Sequence, residues 1–300
     1  MDEFDPTPGV VADLGDGIRR ILAPNPSPMT FRGTNTYLVG ATDVAVIDPG
    51  PADENHLSAI LTALAPDQRI THIFVTHSHL DHSPLSPVLA RETGAKVHAF
   101  GPSRAGRSAV MQGLAAAGLT DAGEGVDPDF APDVVLEDGA QMEGPDWSLT
   151  ALWTPGHLGN HLCFAMGDVI FSGDLVMGWA SSLVAPPDGD LTDFMASCRR
   201  LRQMNARVLH AGHGAPITDP AARIDWLIAH RNEREAAILT ALSTAPATAE
   251  ALTRQIYTDT PQALLPAAER NVLAHLIDLH GKNTVHPVGE LTRDAIFALT

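Results

Sequence analysis

Three imidazoles and a carboxylate fall within six residues at His77-Ser78-His79-Leu80-Asp81-His82, directly behind the apolar run Ile73-Phe74-Val75. Alternate residues of an extended segment point to the same side, so His77 and His79 face one place at the end of a strand. A turn then lets Asp81 and His82 face a neighbouring point. Neutral imidazoles gain little by crowding unless something binds them. Imidazole with carboxylate and without thiolate suits Zn²⁺, Fe or Mn²⁺. The fold must therefore carry other ligand-bearing segments to the same spot.

The chain repeats one pattern: an apolar strand, a glycine-softened turn, then a ligand-type side chain. Val46-Ile47 leads to Asp48, and Leu152-Trp153-Thr154-Pro155-Gly156 leads to His157. Val169-Ile170-Phe171-Ser172-Gly173 leads to Asp174, and Val208-Leu209-His210-Ala211-Gly212 leads to His213. Residues placed beyond strand ends converge at one edge of an open α/β sheet, where such folds put their sites. Further strands are predicted over 70–75, 96–100, 148–153 and 162–166. Helical spacing covers 56–64 and 191–201, and Ser83, Pro84 and Gly94 bracket another helix. The acidic stretch 120–133 predicts a solvated excursion, and 177–190 an apolar loop just after Asp174.

From Asp219 the texture turns helical. One helix carries Ile224, Leu227, Ile238 and Leu242; Thr248 caps a second through Ile256; Pro266 starts a third that ends at Gly281. Asn283 to Val288 then reads as a short β-wing, so 219–300 forms a helical linker plus a winged-helix-like unit behind a catalytic unit over 1–218.

His-x-His-x-Asp-His at 77–82, His157 after Thr-Pro-Gly, Asp174 after Ser-Gly and His213 within Gly-His-Gly together resemble the five-motif signature of the metallo-β-lactamase superfamily. The segments Asn25 to Thr30 and Gly33 to Tyr37, and the tail with His230-Arg231-Asn232, are similar to the branch called β-lactamase-like protein 2. That branch carries a C-terminal winged helix, and some of its members are regarded as endoribonucleases. The resemblance implies an α/β fold, an αββα sandwich with a two-metal site at its edge. Carried onto this chain, it gives metal 1 to His77, His79 and His157, metal 2 to Asp81, His82 and His213, and makes Asp174 the bridge. Zinc is the expected metal, with iron or manganese as alternatives. With no cysteine at a ligand position and Asp at 174, the site resembles that of glyoxalase II more than that of the antibiotic-hydrolysing members.

A hydroxide held between two cations is a nucleophile at neutral pH, since metal binding lowers the pKa of water from 15.7 to about 7. Asp81 is expected to orient it, His161 is the candidate acid for the leaving group, and Asp48 is expected to fix a ligand histidine. Asn35, Tyr37, Met177, Trp179 and Ser182 are the candidate substrate contacts.

Composition narrows the reaction. The chain has 36 acidic and 19 basic residues, net −17, which repels phosphate backbones at long range. The segment 220–300 carries nine acids and seven bases and lacks a basic stripe, so a DNA-binding regulator is disfavoured. The leading expectation is hydrolysis of a small thioester, ester or lactone; a metal-dependent endoribonuclease is the alternative, and a single-iron sulfur dioxygenase is a third reading. The tail is expected to pack over the pocket rim or to form a homodimer interface. Two cysteines, no apolar run of membrane-spanning length and an acidic start without a leader pattern point to the cytoplasm, with no membrane partner.

Overall fold

Two sheets lie face to face in the computed structural model, which describes residues 4–119 and 125–300. The first contains β1 (Val11–Gly15), β2 (Ile18–Leu22), β3 (Asn35–Val39), β4 (Asp43–Ile47), β5 (Arg69–Phe74), β6 (Lys96–Ala99) and β7 (Val134–Val135) in that order. It is antiparallel as far as β4 and parallel beyond. The second contains β8 (Gln141–Glu143), β9 (Ser148–Trp153), β10 (Leu162–Met166), β11 (Val169–Gly173) and β12 (Val208–Ala211), in the order β12-β11-β10-β9-β8. Only β11 and β12 are parallel neighbours there, so β9, β11 and β12 all run the same way.

Period-two alternation sorts the apolar residues into layers. Ala151, Phe164 and Phe171 point inward and meet Tyr37, Ile47 and Phe74 of the first sheet. Their neighbours Leu152, Cys163 and Ile170 point outward onto α4 (Leu191–Gln203), through Phe194, Cys198 and Leu201. On the far face of the first sheet, Val44, Val46 and Ile73 meet Ile60 of α1 (Glu54–Thr62) and Leu89 of α2 (Ser86–Thr93). Helices, sheet, sheet and helices give the αββα sandwich.

Helix α2 starts two residues later than the Ser83-Pro84 signal suggests, because Ser83 is used elsewhere. Its hydroxyl donates to the His79 carbonyl at 3.1 Å, inside the turn that carries the ligand cluster. Gly94 does close the helix, in the left-handed conformation. The acidic stretch also departs from expectation. Residues 120–124 lie outside the described residues, but the rest packs on the histidine loop: Leu80 N donates to the Gly125 carbonyl at 2.6 Å and Asp127 N to that of Ser78 at 2.7 Å. A short helix unread in the sequence, α3 (Ala109–Ala116), precedes it.

After Pro220 comes α5 (Pro220–Leu242), capped by Asp219, whose carboxylate accepts from Ala222 N. Its first half (Ile224, Leu227) packs on α4, and its second half (Ile238, Leu242) enters a separate core. That core joins α6 (Ala249–Ile256), α7 (Leu265–Gly281) and a small sheet of β13 (Ala247–Thr248), β14 (Val285–Pro287) and β15 (Ile296–Leu299). Thr248 caps α6 by accepting from Ala251 N at 3.2 Å, and the 285–299 hairpin is the wing. No helix among the described residues is long and apolar enough to cross a membrane.

Candidate metal centre

Strands β4, β5, β9, β11 and β12 deliver Asp48, the 77–82 cluster, His157, Asp174 and His213 to one edge of the sandwich. Two groups of donors form there. His77, His79, His157 and Asp174 make one, Asp81, His82 and His213 the other, with the donor atoms of each group within 4.8 Å of one another. Asp174 stands between them. Its Oδ2 is 3.8 Å from His157 Nε2 and 3.3 Å from His213 Nε2, and its Oδ1 is 3.6 Å from His82 Nε2.

The outer nitrogens settle how the rings are presented. His82 Nδ1 donates to Asp48 Oδ2 at 2.9 Å, His157 Nδ1 to the Leu183 carbonyl at 2.6 Å, and His213 Nδ1 to the Gly33 carbonyl at 3.1 Å. His77 Nδ1 donates to Thr76 Oγ1 at 2.9 Å, and that hydroxyl donates onward to Asp48 Oδ2 at 2.8 Å. With Nδ1–H spent on an acceptor, each of these four rings in its neutral form turns an Nε2 lone pair toward the centre, the arrangement that metal-ligating histidines adopt. His79 presents Nδ1 instead, 2.9 Å from His77 Nε2 and 3.0 Å from His157 Nε2. Asp48 thus supports two of the clustered histidines, His82 directly and His77 through Thr76. It holds φ at 51°, a left-handed conformation that Asp tolerates better than most residues.

Charge is unevenly shared. Burial lowers His79 to about 3, with the positive charge of a neighbouring His157 adding to it. Burial opposes a proton on His213 as well, but the Asp174 and Asp81 carboxylates outweigh it and raise this ring to about 10. Burial likewise resists ionisation of Asp81 and Asp174, yet His82 and His213 hold both carboxyls well below their usual range. One buried and one half-buried carboxylate, Asp174 and Asp81, therefore draw positive charge into a pocket of imidazoles. Asp174 Oδ1 is buried with no hydrogen-bond donor among the described residues. At Gly212 a side chain would put its Cβ 2.3 Å from that oxygen. Donor chemistry, lone-pair direction and the orphaned oxygen all suit bound metal ions.

A cavity of about 290 Å³ opens on the centre, and its lining includes His79, Asp81, Met177 and Trp179. Met177 and Trp179 stand where substrate contacts are expected; Trp179 stacks on Phe31 with ring centres 5.1 Å apart. Three other candidates do not reach the cavity. Asn35 is fully buried and donates Nδ2 to the Ala211 and Gly214 carbonyls at 3.0 and 2.9 Å. Tyr37 donates its hydroxyl to the same Ala211 carbonyl at 2.6 Å. Both tie the His213 loop to the opposite sheet. Ser182 is buried and donates to the Leu175 carbonyl at 2.9 Å.

His161 is not placed to act as an acid. Its Nε2 accepts from Asp174 N at 3.2 Å, so its proton is on Nδ1, facing Thr154 Oγ1 at 3.0 Å. The ring is fully buried, and burial followed by His157 drives its pKa well below the usual histidine value. It props the Asp174 turn from behind.

The far wall of the cavity is not foreseen in detail by the sequence. It includes His230, Arg231, Tyr257, Leu264 and Asn271 from the C-terminal unit, so the tail does pack over the pocket rim. One signal exists: Ile224, Leu227, Arg231 and Ile238 share a helical face, placing a charge on a buried stripe.

The Metallo-beta-lactamase superfamily profile matches residues 29–213, and the Beta-lactamase associated winged helix domain profile matches residues 248–290. A Drosophila melanogaster protein named Beta-lactamase-like protein 2 homolog is 32% identical over 286 residues, covering 90% of this chain and 89% of its own. An Atrochrysone carboxyl ACP thioesterase of Aspergillus fumigatus is 29% identical over 236 residues, covering 76% of this chain and 66% of its own. Among solved structures, a metallo-beta-lactamase family protein from Thermus thermophilus superposes with a TM-score of 0.75 at 27% identity, covering 96% of this chain and 100% of that one.

Proposed function

Because the chain belongs to the metallo-β-lactamase superfamily, we propose that it is a dinuclear metal-dependent hydrolase of ester-type bonds, acting on small thioesters, esters or lactones. The observation that carries this reading is the set of four histidines whose Nδ1 protons are all spent on outer acceptors, so that their Nε2 lone pairs meet around Asp174. In this reading His77, His79 and His157 would hold one ion and Asp81, His82 and His213 a second, with Asp174 available to both. Bound there, divalent ions (zinc first by donor type, iron or manganese next) supply Lewis acidity and lower the pKa of water.

The residues of the chain do the rest. Asp81 is the most exposed carboxylate of the cluster; its Oδ2 accepts from Thr34 Oγ1 at 3.1 Å, which fixes its plane at the cavity mouth and leaves it able to orient a water. Asp48 keeps His77 and His82 in the binding tautomer. Met177 and Trp179 offer an apolar wall to an acyl chain. His161 has no proton directed at the cavity, which favours leaving groups that depart without one. A thiolate, with an ordinary pKa near 8.5, does so far more readily than an alkoxide or an amine anion. The fungal relative named as an acyl-carrier thioesterase supports the same choice.

The test is turnover by protein reconstituted separately with Zn²⁺, Fe²⁺ and Mn²⁺, against aliphatic thioesters, lactones and a single-stranded RNA. Thioester hydrolysis that is lost on chelation and in Asp174→Ala is expected. RNA cleavage that is lost in Asp81→Ala, without turnover of any ester, would replace this reading by a nuclease.

A further inference from the structure

Arg231 is a charge that the metal centre does not use. It is 2% exposed, stands 5.1 Å over the Phe194 ring and lines the cavity that opens on the metal centre. A guanidinium has five N–H donors. One on Nη1 goes to Asn271 Oδ1 at 2.9 Å and one on Nη2 to the Ser182 carbonyl, while Nε is buried with no acceptor among the described residues. Asn271 is itself fixed, since the same oxygen accepts from Val184 N at 3.0 Å and its Nδ2 donates to the Ala267 carbonyl at 3.2 Å. The guanidinium is thus held rigidly by neutral groups with donors to spare.

No carboxylate pairs with it among the described residues. Neither Arg223 nor Arg234, on the same helix, has such a partner there: Arg223 donates to the Met177 and Ala180 carbonyls, and Arg234 lies 4.6 Å over the Tyr257 ring with its Nε buried and unpartnered. Arginine does not shed its proton to escape burial, so a desolvated guanidinium without a counter-charge is strongly unfavourable. In a chain with 36 acidic residues, a wall of a substrate cavity without one is a selective feature. We propose that Arg231 anchors an anionic oxygen group, carboxylate or phosphate, carried by the substrate away from the bond that is broken. The preferred substrates are then acidic thioesters or esters, whose apolar part lies along Met177 and Trp179. Local positive charge at this wall offsets the repulsion that a net charge of −17 imposes on such a molecule.

The inference rests on the hydrolase reading for its turnover arm and not for its binding arm. For turnover, zinc-loaded protein is given three thioesters: neutral hexanoyl-N-acetylcysteamine, glutaryl-N-acetylcysteamine with a distal carboxylate, and hexanoyl-4′-phosphopantetheine with a distal phosphate. The charged-to-neutral ratio of kcat/KM falls roughly 30-fold in Arg231→Met, the range expected for one lost charge-assisted pair, and is largely restored in Arg231→Lys. Whichever acidic ester shows the larger fall identifies the source of the anion. For binding, glutarate and inorganic phosphate are titrated against tryptophan fluorescence at fixed metal content. Wild type binds one of them at least about tenfold more tightly than Arg231→Met does. If no thioester is hydrolysed but this difference stands, the hydrolase reading fails and the anion site holds. Equal anion affinity in wild type and Arg231→Met overturns the anion site, whatever the turnover. Should Arg231→Met fail to fold, Asn271→Leu, which keeps the charge and releases its support, is expected to weaken the same anion, and unchanged affinity there refutes the proposal.

Discussion

Replacing Asp48 with Asn isolates the support beneath the metal centre. In the wild type, Asp48 Oδ1 accepts from Thr76 N at 2.7 Å, while Oδ2 accepts from both His82 Nδ1 at 2.9 Å and Thr76 Oγ1 at 2.8 Å. An amide has one acceptor oxygen and one donor nitrogen. If the oxygen keeps Thr76 N, the new NH₂ faces two donors. Thr76 can rotate its hydroxyl, but His82 can relieve the clash only by moving its proton to Nε2, the atom aimed at the centre. The residue is 2% exposed, so water does not compensate. Asn tolerates the φ of 51°, so backbone strain adds little. One charge-assisted hydrogen bond is lost, worth about 1.5–3 kcal/mol of stability. Affinity for the ion on the His82 side should drop roughly 10–100-fold. Chelator competition followed by elemental analysis separates the two sites: one equivalent is expected to leave Asp48→Asn at chelator concentrations where wild type keeps two, and thermal melts report the stability loss. Retention of both ions at wild-type affinity would show that ring orientation by Asp48 is not what organises the site.

Gly212→Ala puts a Cβ 2.3 Å from Asp174 Oδ1 and 2.7 Å from His82 Cε1, so metal content and turnover should fall together; a fully loaded, active variant contradicts the close approach. His161→Gln should lower the melting temperature while leaving the shape of the pH–rate profile intact, and the loss of a limb of that profile would restore His161 as an acid. His275 is buried with neither ring nitrogen partnered among the described residues, so His275→Leu should stabilise the fold by about 1–3 kcal/mol in urea melts; a destabilised variant refutes this. Burial holds His56 and His210 at about 4 and His275 at about 3, below the ordinary 6.5. Below pH 6.5 the unfolded chain binds protons that the folded one refuses until about pH 4. The stability contributed by these three rings is therefore complete above 6.5 and declines as pH falls through that window, by up to about 1.4 kcal/mol per unit per histidine. Denaturant midpoints that stay flat from about pH 7 to about pH 4.5 would contradict it.

The donor cluster is legible because residues suited to metal ions are of a few types and here follow strand ends. A pattern such as Phe171-Ser172-Gly173-Asp174 carries both facts in a few letters, and the apolar alternation of residues 148–173 supplies the two faces of a sheet. The cap at Thr248 is local as well, since a cap joins residues two or three apart. Positions whose role depends on a distant partner mislead. Ser83 resembles an N-cap until its hydroxyl finds the His79 carbonyl. Asn35 and Tyr37 resemble pocket residues until β3 is seen to brace Ala211, more than 170 positions away in the chain. His161 resembles an acid until its Nε2 is found beneath Asp174 N.

What the sequence alone determined is the inventory and spacing of donors, together with the periodicities that make strands and helices, because these are set by bonds between near neighbours. What only the tertiary structure decided is which atom of each ring faces inward, which candidates are walled off, and that a helix from the C-terminal unit brings Arg231 to the pocket. Hydrogen-bond direction and desolvation belong to the packed chain, since each depends on the residue that arrives from elsewhere to accept a proton or exclude water.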